Sequence, residues 1–211
     1  MYCYKNFNEL RLFMKFLPPT FRLMFILTTL LALTSCGMQS IPTAYNEVDA
    51  TWAEVLNQYK RRSDLIPNLV NVVKGYASHE KETLESVIKA RSEATKINID
   101  ASKLDENSMK QFQKAQGGLS QALSKLMVVS EKYPDLKADQ NFRDLQAQLE
   151  GTENRITVAR NRYIESIKSF NNLVTVPPTS WYNSLFLQHA KKPQFTVENL
   201  EEVQKAPEVK F

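Results

Sequence analysis

The sequence predicts an all-α protein, an antiparallel bundle of about four long helices with a short C-terminal helix and an irregular tail. Three observations predict it. Of 211 residues, 43% are hydrophobic and 24% charged, enough for one core, while only 5 are glycine, too few for a turn-rich sandwich, a barrel or a glycine-loop nucleotide fold. Apolar side chains recur in alternating steps of three and four over long stretches, the spacing of one helix face. No strand-like alternation, Rossmann-type order of elements or tandem repeat breaks that pattern.

By composition the chain divides into residues 1–35, a signal-like leader; 36–44, a linker; 45–175, the long-helix bundle; and 176–211, the short helix and extended tail. Lys5, Arg11, Lys15 and Arg22 against Glu9 place most of the formal +4 charge in the leader, so the remainder is near neutral and nucleic acid is not an expected partner. Lys15 and Arg22 precede the apolar run Leu23 to Leu33, and small residues follow it, which is the order of a secretory signal. At about 1.5 Å per residue that run covers roughly 17 Å, short of the roughly 30 Å hydrocarbon core of a bilayer. Leu33-Thr34-Ser35-Cys36-Gly37 resembles the lipobox of bacterial lipoproteins, in which the Cys thiolate takes a diacylglyceryl group. The expectation is a lipid anchor on Cys36 facing the periplasm, in the outer membrane of a Gram-negative source because Gly37 rather than Asp follows the Cys. An uncleaved single-pass inner-membrane segment is the alternative. With Cys3 removed and Cys36 acylated, no thiol is left for a disulfide, a zinc site or catalysis.

The first long helix is predicted from Val48, Trp52, Val55, Tyr59, Arg62, Ile66, Leu69, Val73 and Tyr76, a seam that is apolar except at Arg62. Pro67 removes one backbone bond and is expected to kink it near Asp64 without dividing it. Ser78 is the expected N-cap of a further segment carrying Leu84, Ile88, Arg91 and Thr95. A polar linker comes next, and Ser108 with Gln111 forms a capping-box pattern ahead of Phe112, Leu119, Leu123, Leu126 and Val129. Gly117 and Gly118 either bend that helix or admit another backbone. Tyr133-Pro134 ends it, and Asp139 is placed to cap the last long helix, whose face runs Phe142, Leu145, Leu149, Thr152, Ile156, Ala159, Tyr163, Ile167, Phe170 and Val174. After Val176-Pro177-Pro178, Thr179 is expected to cap a short amphipathic helix through Trp181, Leu185 and Phe186. Those side chains, with Tyr182 and Leu187, either lie in a membrane interface or pack as a lid on the bundle's end.

Catalytic signatures are few. The 2 histidines, His79 and His189, lie far apart, and His79-Glu80 lacks the second His of the zinc-protease helix motif. No G-x-S-x-G elbow, phosphate loop or dinucleotide turn occurs. No cofactor, metal site or catalytic residue is therefore expected, and the rival is acid-base work by His79 and Glu80. The informative feature is charge where the seam predicts burial: Arg62 and Arg91, with Thr152 flanked by Glu150 and Glu153. Helices centred on one layer bring Arg62 to Glu153 or Glu150, as a polar patch for a partner or as a register-fixing ion pair. Lys60, Arg61, Arg155, Arg160 and Arg162 are interleaved with acids and read as a solvated face.

The run from Trp52 through Tyr59, Arg61, Arg62, Asp64, Pro67 and Asn68 to Val70 continues through Lys74, Tyr76 and Glu80 to Ala90-Arg91, and resembles the LemA family. So do Tyr133-Pro134-Asp135, Asn141-Phe142, Leu149 to Ile156 with Glu150, Glu153, Asn154 and Arg155, then Ala159-Arg160, Tyr163, Lys192-Pro193 and Ala206-Pro207. The resemblance covers nearly all of residues 41–211. It implies a small extracytoplasmic, membrane-attached bundle with no established enzyme activity. Members often lie near genes for HtpX-like membrane metalloproteases or TPM-domain proteins, so an envelope protein of that kind is the implied partner, with a homo-oligomer also open. Carried over by position, Arg61, Arg62, Asp64, Asn68, Lys74, Tyr76, Glu80, Arg91, Glu150, Glu153, Asn154, Arg155 and Arg160 form a candidate network that binds a partner or holds the helices together. Val176-Pro177-Pro178 departs from the family, which usually carries an aromatic before a single proline.

Overall fold

The computed structural model describes residues 18, 20, 24, 39–97, 99 and 104–195. Apart from Pro18, Thr20 and Met24, the leader lies outside the described residues, as do Cys36 and the tail beyond Phe195 with Ala206-Pro207. Among the described residues four principal helices form: α1 Ser40–Tyr76, α2 Lys81–Lys96, α3 Glu106–Ser130 and, after the single turn α4 Pro134–Ala138, α5 Gln140–Thr175. A short α6, Thr179–Tyr182, runs into one π-helical turn, Asn183–Leu187. No strand occurs among the described residues. The protein is an all-α helical bundle, as the spacing predicts.

Among the described residues the chain forms two compact units, one of residues 18, 20, 24 and 39–43 with Leu173–His189 and one of the described part of Ala44–Asn172 with residues 190–195. In the larger unit, contacts walk along α1 and α5 in opposite directions. Tyr45 meets Phe170, Thr51 Oγ1 and Ser166 Oγ lie 2.8 Å apart, Arg162 donates to Glu54 and Arg62 donates to Glu153. The two helices are therefore antiparallel. Arg91 Nε donates to the Ser63 carbonyl between α2 and α1, and α2 packs along α3. The apolar cluster contains Ile66, Leu69, Val73, Leu84, Val87, Leu119, Leu126, Leu136 and Phe142.

Pro67 sits inside α1, which continues through it as one helix. The predicted seam is buried from Val48 to Val73, but Tyr76 is exposed and Ala77 takes the inner position. Tyr76 instead sends its hydroxyl 3.0 Å to Asp139 Oδ2. Ser78 does not cap α2: Glu80 holds that position without a side-chain cap bond. The buried face of α2 is Leu84, Val87 and Ala94, whereas Ile88 is exposed. α3 starts earlier than Ser108 suggests. Asp105 is its N-cap, Ser108 N donates to Asp105 Oδ1 at 2.6 Å, and Ser108 Oγ accepts from Asp105 N at 3.0 Å, so Ser108 is the distal half of the capping box. Gly117 and Gly118 lie within the continuous α3, and an added Cβ at either meets nothing within 4 Å, so no backbone among the described residues approaches to that distance.

Pro134 occupies the first turn of α4, where its missing N–H costs nothing, and Asp139 Oδ1 accepts the Phe142 N–H at 2.9 Å as the start of α5 requires. At the far end of α5, Thr179 does not cap α6. Its hydroxyl donates back to the carbonyls of Leu173 and Val176 at 2.7 and 3.0 Å, and Pro178 stands at the cap of α6. Gln188, at φ 54°, turns the chain out of the π-helical turn, and the Asn183 side chain holds His189 through two 3.0 Å bonds to its backbone N–H and carbonyl.

Candidate functional site

Three long helices each place a polar residue where the seam spacing calls for an apolar one: Arg62 on α1, Gln116 on α3 and Thr152 on α5. All three are buried, with Arg62 only 3% exposed. The Thr152 hydroxyl is satisfied within its own helix by the Gln148 carbonyl at 2.7 Å. Arg62 is satisfied across helices. Its Nη1 donates to Glu153 Oε2 at 2.9 Å and to Ser120 Oγ at 3.1 Å, while Nη2 donates to Gln116 Oε1 at 2.7 Å. Such a set offsets much of the cost of taking a guanidinium out of water, because each N–H that finds an acceptor recovers part of the lost hydration. Its Nε finds none among the described residues.

Arg62, Ser120 and Glu153 line two adjoining clefts of about 350 and 380 Å³. The first carries Glu150, which accepts from Gln146 at 3.0 Å, beside Met127 and Leu149. The second carries Tyr59, Gly117, Arg160 and Phe195. Arg62 lies over the Tyr59 ring at 5.1 Å and Arg160 over the Phe195 ring at 4.5 Å. Burial pushes the Tyr59 hydroxyl above its ordinary pKa, against the opposing pull of the Arg160 and Arg62 charges.

Phe195 belongs to a tail segment that the bundle holds as an extended ligand would be held. Lys192 N donates to Asn171 Oδ1 at 2.9 Å and Asn171 Nδ2 donates to the Lys192 carbonyl at 3.1 Å, a side-chain amide pairing with main chain. The Lys192 ammonium reaches Asp49 at 2.9 Å and lies 3.9 Å over the Tyr45 ring. Phe195 then enters a cluster of rings, 6.1 Å from Trp52 and 5.5 Å from Tyr163, and Phe112 also lies against Trp52 at 5.4 Å. Burial pushes the Tyr163 phenol well above its ordinary range, and its hydroxyl has no hydrogen-bond partner among the described residues.

Of the candidate residues, the structure brings Arg62, Glu153 and Arg160 together at one cleft and places Glu150 on its neighbour. Arg91 braces the turn of α1 next to Arg62 through the Ser63 carbonyl. The others stand elsewhere. Arg61, Asn68, Lys74, Asn154 and Arg155 are exposed, and Asp64 is paired with Lys60 at 3.0 Å on the surface. Tyr76 and Glu80 lie at the α1 to α2 turn, where Glu80 Oε1 accepts from the Tyr133 hydroxyl at 3.2 Å and His79 is exposed. No group of three or more His, Cys, Asp or Glu side chains among the described residues is arranged to hold a metal ion. Gln116, Ser120, Asn171, Lys192 and Phe195 join the site from outside the candidate set. Gln116 carries a signal in the sequence, since it fills the seam position between Phe112 and Leu119.

The LemA family model matches residues 51–211. The chain belongs to the LemA family. It is also similar to magnetosome protein MamQ of Magnetospirillum gryphiswaldense, 25% identical over an alignment of 157 residues, with 64% of this chain and 56% of MamQ covered. The chain thus spans about half the length of that curated relative. Within LemA-type sequence the polar layer of Arg62, Gln116, Ser120 and Glu153, the two clefts and the Phe195 pocket all fall inside the matched range. No helix among the described residues is long and apolar enough to cross a membrane.

Proposed function

We propose that this LemA-family chain is a membrane-attached, non-enzymatic interaction module of the bacterial envelope that captures polypeptide along the flank built by α1, α3 and α5. The observation that supports this reading is the hold on residues 190–195. Asn171 pairs with main chain, Asp49 takes a cation, and the rings of Trp52 and Tyr163 take an aromatic side chain, the three kinds of contact by which a groove binds an extended peptide. Beside it, Glu153 and Arg160 offer an acceptor and a donor at the rim of an open cleft. Attachment is through lipid on Cys36, facing the periplasm. The partner is another envelope protein, of the HtpX-like or TPM-domain kind that the family resemblance implies.

The test is crosslinking in intact envelopes, followed by mass spectrometry of the captured proteins and of the N-terminal peptide. The native chain, a Cys36→Ser chain and an Arg160→Ala chain are compared. The reading requires an acylated Cys36 and a partner that recurs with the native chain and is lost with Arg160→Ala at unchanged helix content. An unmodified N-terminus removes the lipid anchor. A partner captured equally by Arg160→Ala moves the contact off this flank.

A further inference from the structure

The smaller unit, which includes residues 39–43 and Leu173–His189, carries the most exposed large apolar side chains of the bundle's C-terminal region: Trp181 is 66% exposed, Leu185 73%, Phe186 71% and Val176 54%. They are not on a fraying end. Thr179 ties the segment back to Leu173, Asn183 is buried and bonded twice to His189, and the Tyr182 ring braces Phe186 at 5.0 Å. The turn is held, and it holds these side chains outward.

Residues 173–189 contain no Asp, Glu, Lys or Arg, in a chain of which 24% is charged. An uncharged, rigidly presented patch containing Trp and Tyr has the composition of a surface that sits at the headgroup level of a bilayer, where amphipathic rings are favoured. Its position in the chain says which bilayer. Gln39 and Ser40 belong to the same compact unit, and Cys36 precedes Gln39 by so few residues that the extended chain between them spans only about 10 Å. A lipid on Cys36 therefore keeps the leaflet within a short tether of the unit that carries the patch.

We infer that Trp181, Leu185 and Phe186 seat in the interface of the leaflet that holds the N-terminal anchor, making this turn a second membrane contact. This rests on the membrane attachment proposed above. One acyl-bearing residue on a tether leaves the unit that follows it free to tumble; a second contact a short distance away holds that unit against the leaflet. The depth expected of such a contact is about 5–10 Å, at the boundary of headgroups and acyl chains.

The two tryptophans make the test direct, because Trp52 is 1% exposed in the bundle and serves as an internal reference for Trp181. The full chain, purified from envelopes with its N-terminus intact, is reconstituted into phosphatidylethanolamine–phosphatidylglycerol vesicles with bromine either near the headgroup end or near the tip of the acyl chains. The difference between native and Trp181→Phe spectra isolates Trp181. The expected result is a blue-shifted Trp181 component, shielded from acrylamide, quenched by shallow bromine and little affected by deep bromine. A Leu185→Ser/Phe186→Ser chain should still float with vesicles through its anchor but lose that quenching. A Trp181 component open to acrylamide and insensitive to bromine in a protein that floats overturns the inference and leaves the anchor standing. Shielding without bromine quenching also overturns it, because a second copy or the chain itself then covers the patch. A protein that does not float overturns both.

Discussion

Which partner of the buried Arg62 matters most for stability is decided by exposure rather than by charge. Glu153 is the ionic partner at 2.9 Å, but its side chain is 55% exposed, so water replaces it when it is removed. Gln116 is neutral yet buried, and Leu in its place takes the 2.7 Å side-chain acceptor from Nη2 and leaves it only the longer 3.4 Å contact to the main-chain carbonyl of that position. A hydrogen bond to a charged group is worth about 1.5–3 kcal/mol, and the added apolar burial returns about 1 kcal/mol, leaving Gln116→Leu destabilising by about 1–2 kcal/mol. Glu153→Gln should cost less than about 1 kcal/mol. At about 2–4 °C per kcal/mol for a chain of this size, the melting temperature should fall by about 2–8 °C for Gln116→Leu and less for Glu153→Gln. Adding Arg62→Met to Gln116→Leu removes the stranded charge and should restore stability, a coupling of opposite sign to the single losses. Urea and thermal unfolding followed by far-UV circular dichroism give all four numbers. A larger loss for Glu153→Gln than for Gln116→Leu, or simple additivity in the double variant, would refute this account of the polar layer.

The remaining expectations are independent of it. Gly117→Ala and Gly118→Ala should each stabilise by about 0.5–1 kcal/mol, because both sit in the exposed interior of α3 with open space for a Cβ; urea midpoints test this. Asn171→Ala should release the tail segment while the bundle stays folded, read as faster hydrogen exchange at the Lys192 amide and a changed Trp52 emission as Phe195 leaves. The Ser108 amide holds the Asp105 carboxyl below its usual range, so the cap is fully effective above the ordinary Asp value and is lost as pH falls through the lower folded value. Amide signals at the start of α3 should show fraying on that acid side, and Asp105→Asn, which caps without titrating, should abolish the pH dependence.

The bundle is legible in the sequence because long helices repeat their signal: Val48 to Val73 and Phe142 to Val174 offer many seam positions each, and a single error does not move the face. α2 offers few turns, so the spacing pairs Leu84 with Ile88, whereas Val87 is the buried neighbour. Ends are less legible than middles. Ser78, Ser108 and Thr179 all have capping chemistry, but Glu80, Asp105 and Pro178 hold the cap positions, because local hydroxyl composition does not say where the first helical bond closes. Arg62 is readable from seam periodicity alone, and Gln116 obeys the same rule, but the spacing leaves Glu153 and Glu150 both open as the carboxylate opposite, and only the fold selects Glu153. The holding of Lys192 and Phe195 by Asn171, Asp49 and the rings around Trp52 is not, since it joins residues far apart in the chain through an irregular segment with no period to trace.

The contacts between α1 and α5 and those that hold the tail differ in how they would carry force. Tyr45 with Phe170, Thr51 with Ser166, Glu54 with Arg162 and Arg62 with Glu153 are spaced along two antiparallel helices, so a pull along α1 loads all of them at once, in shear. Sliding by one turn would have to break every pair together. The tail is pinned at Lys192 and then at Phe195, and a pull from its C-terminal side lifts Phe195 first and the Asn171 pairing next, one contact at a time. Under tension from the membrane or a partner, the segment would peel away while the bundle beneath it stayed locked, leaving the Trp52 and Tyr163 rings bare.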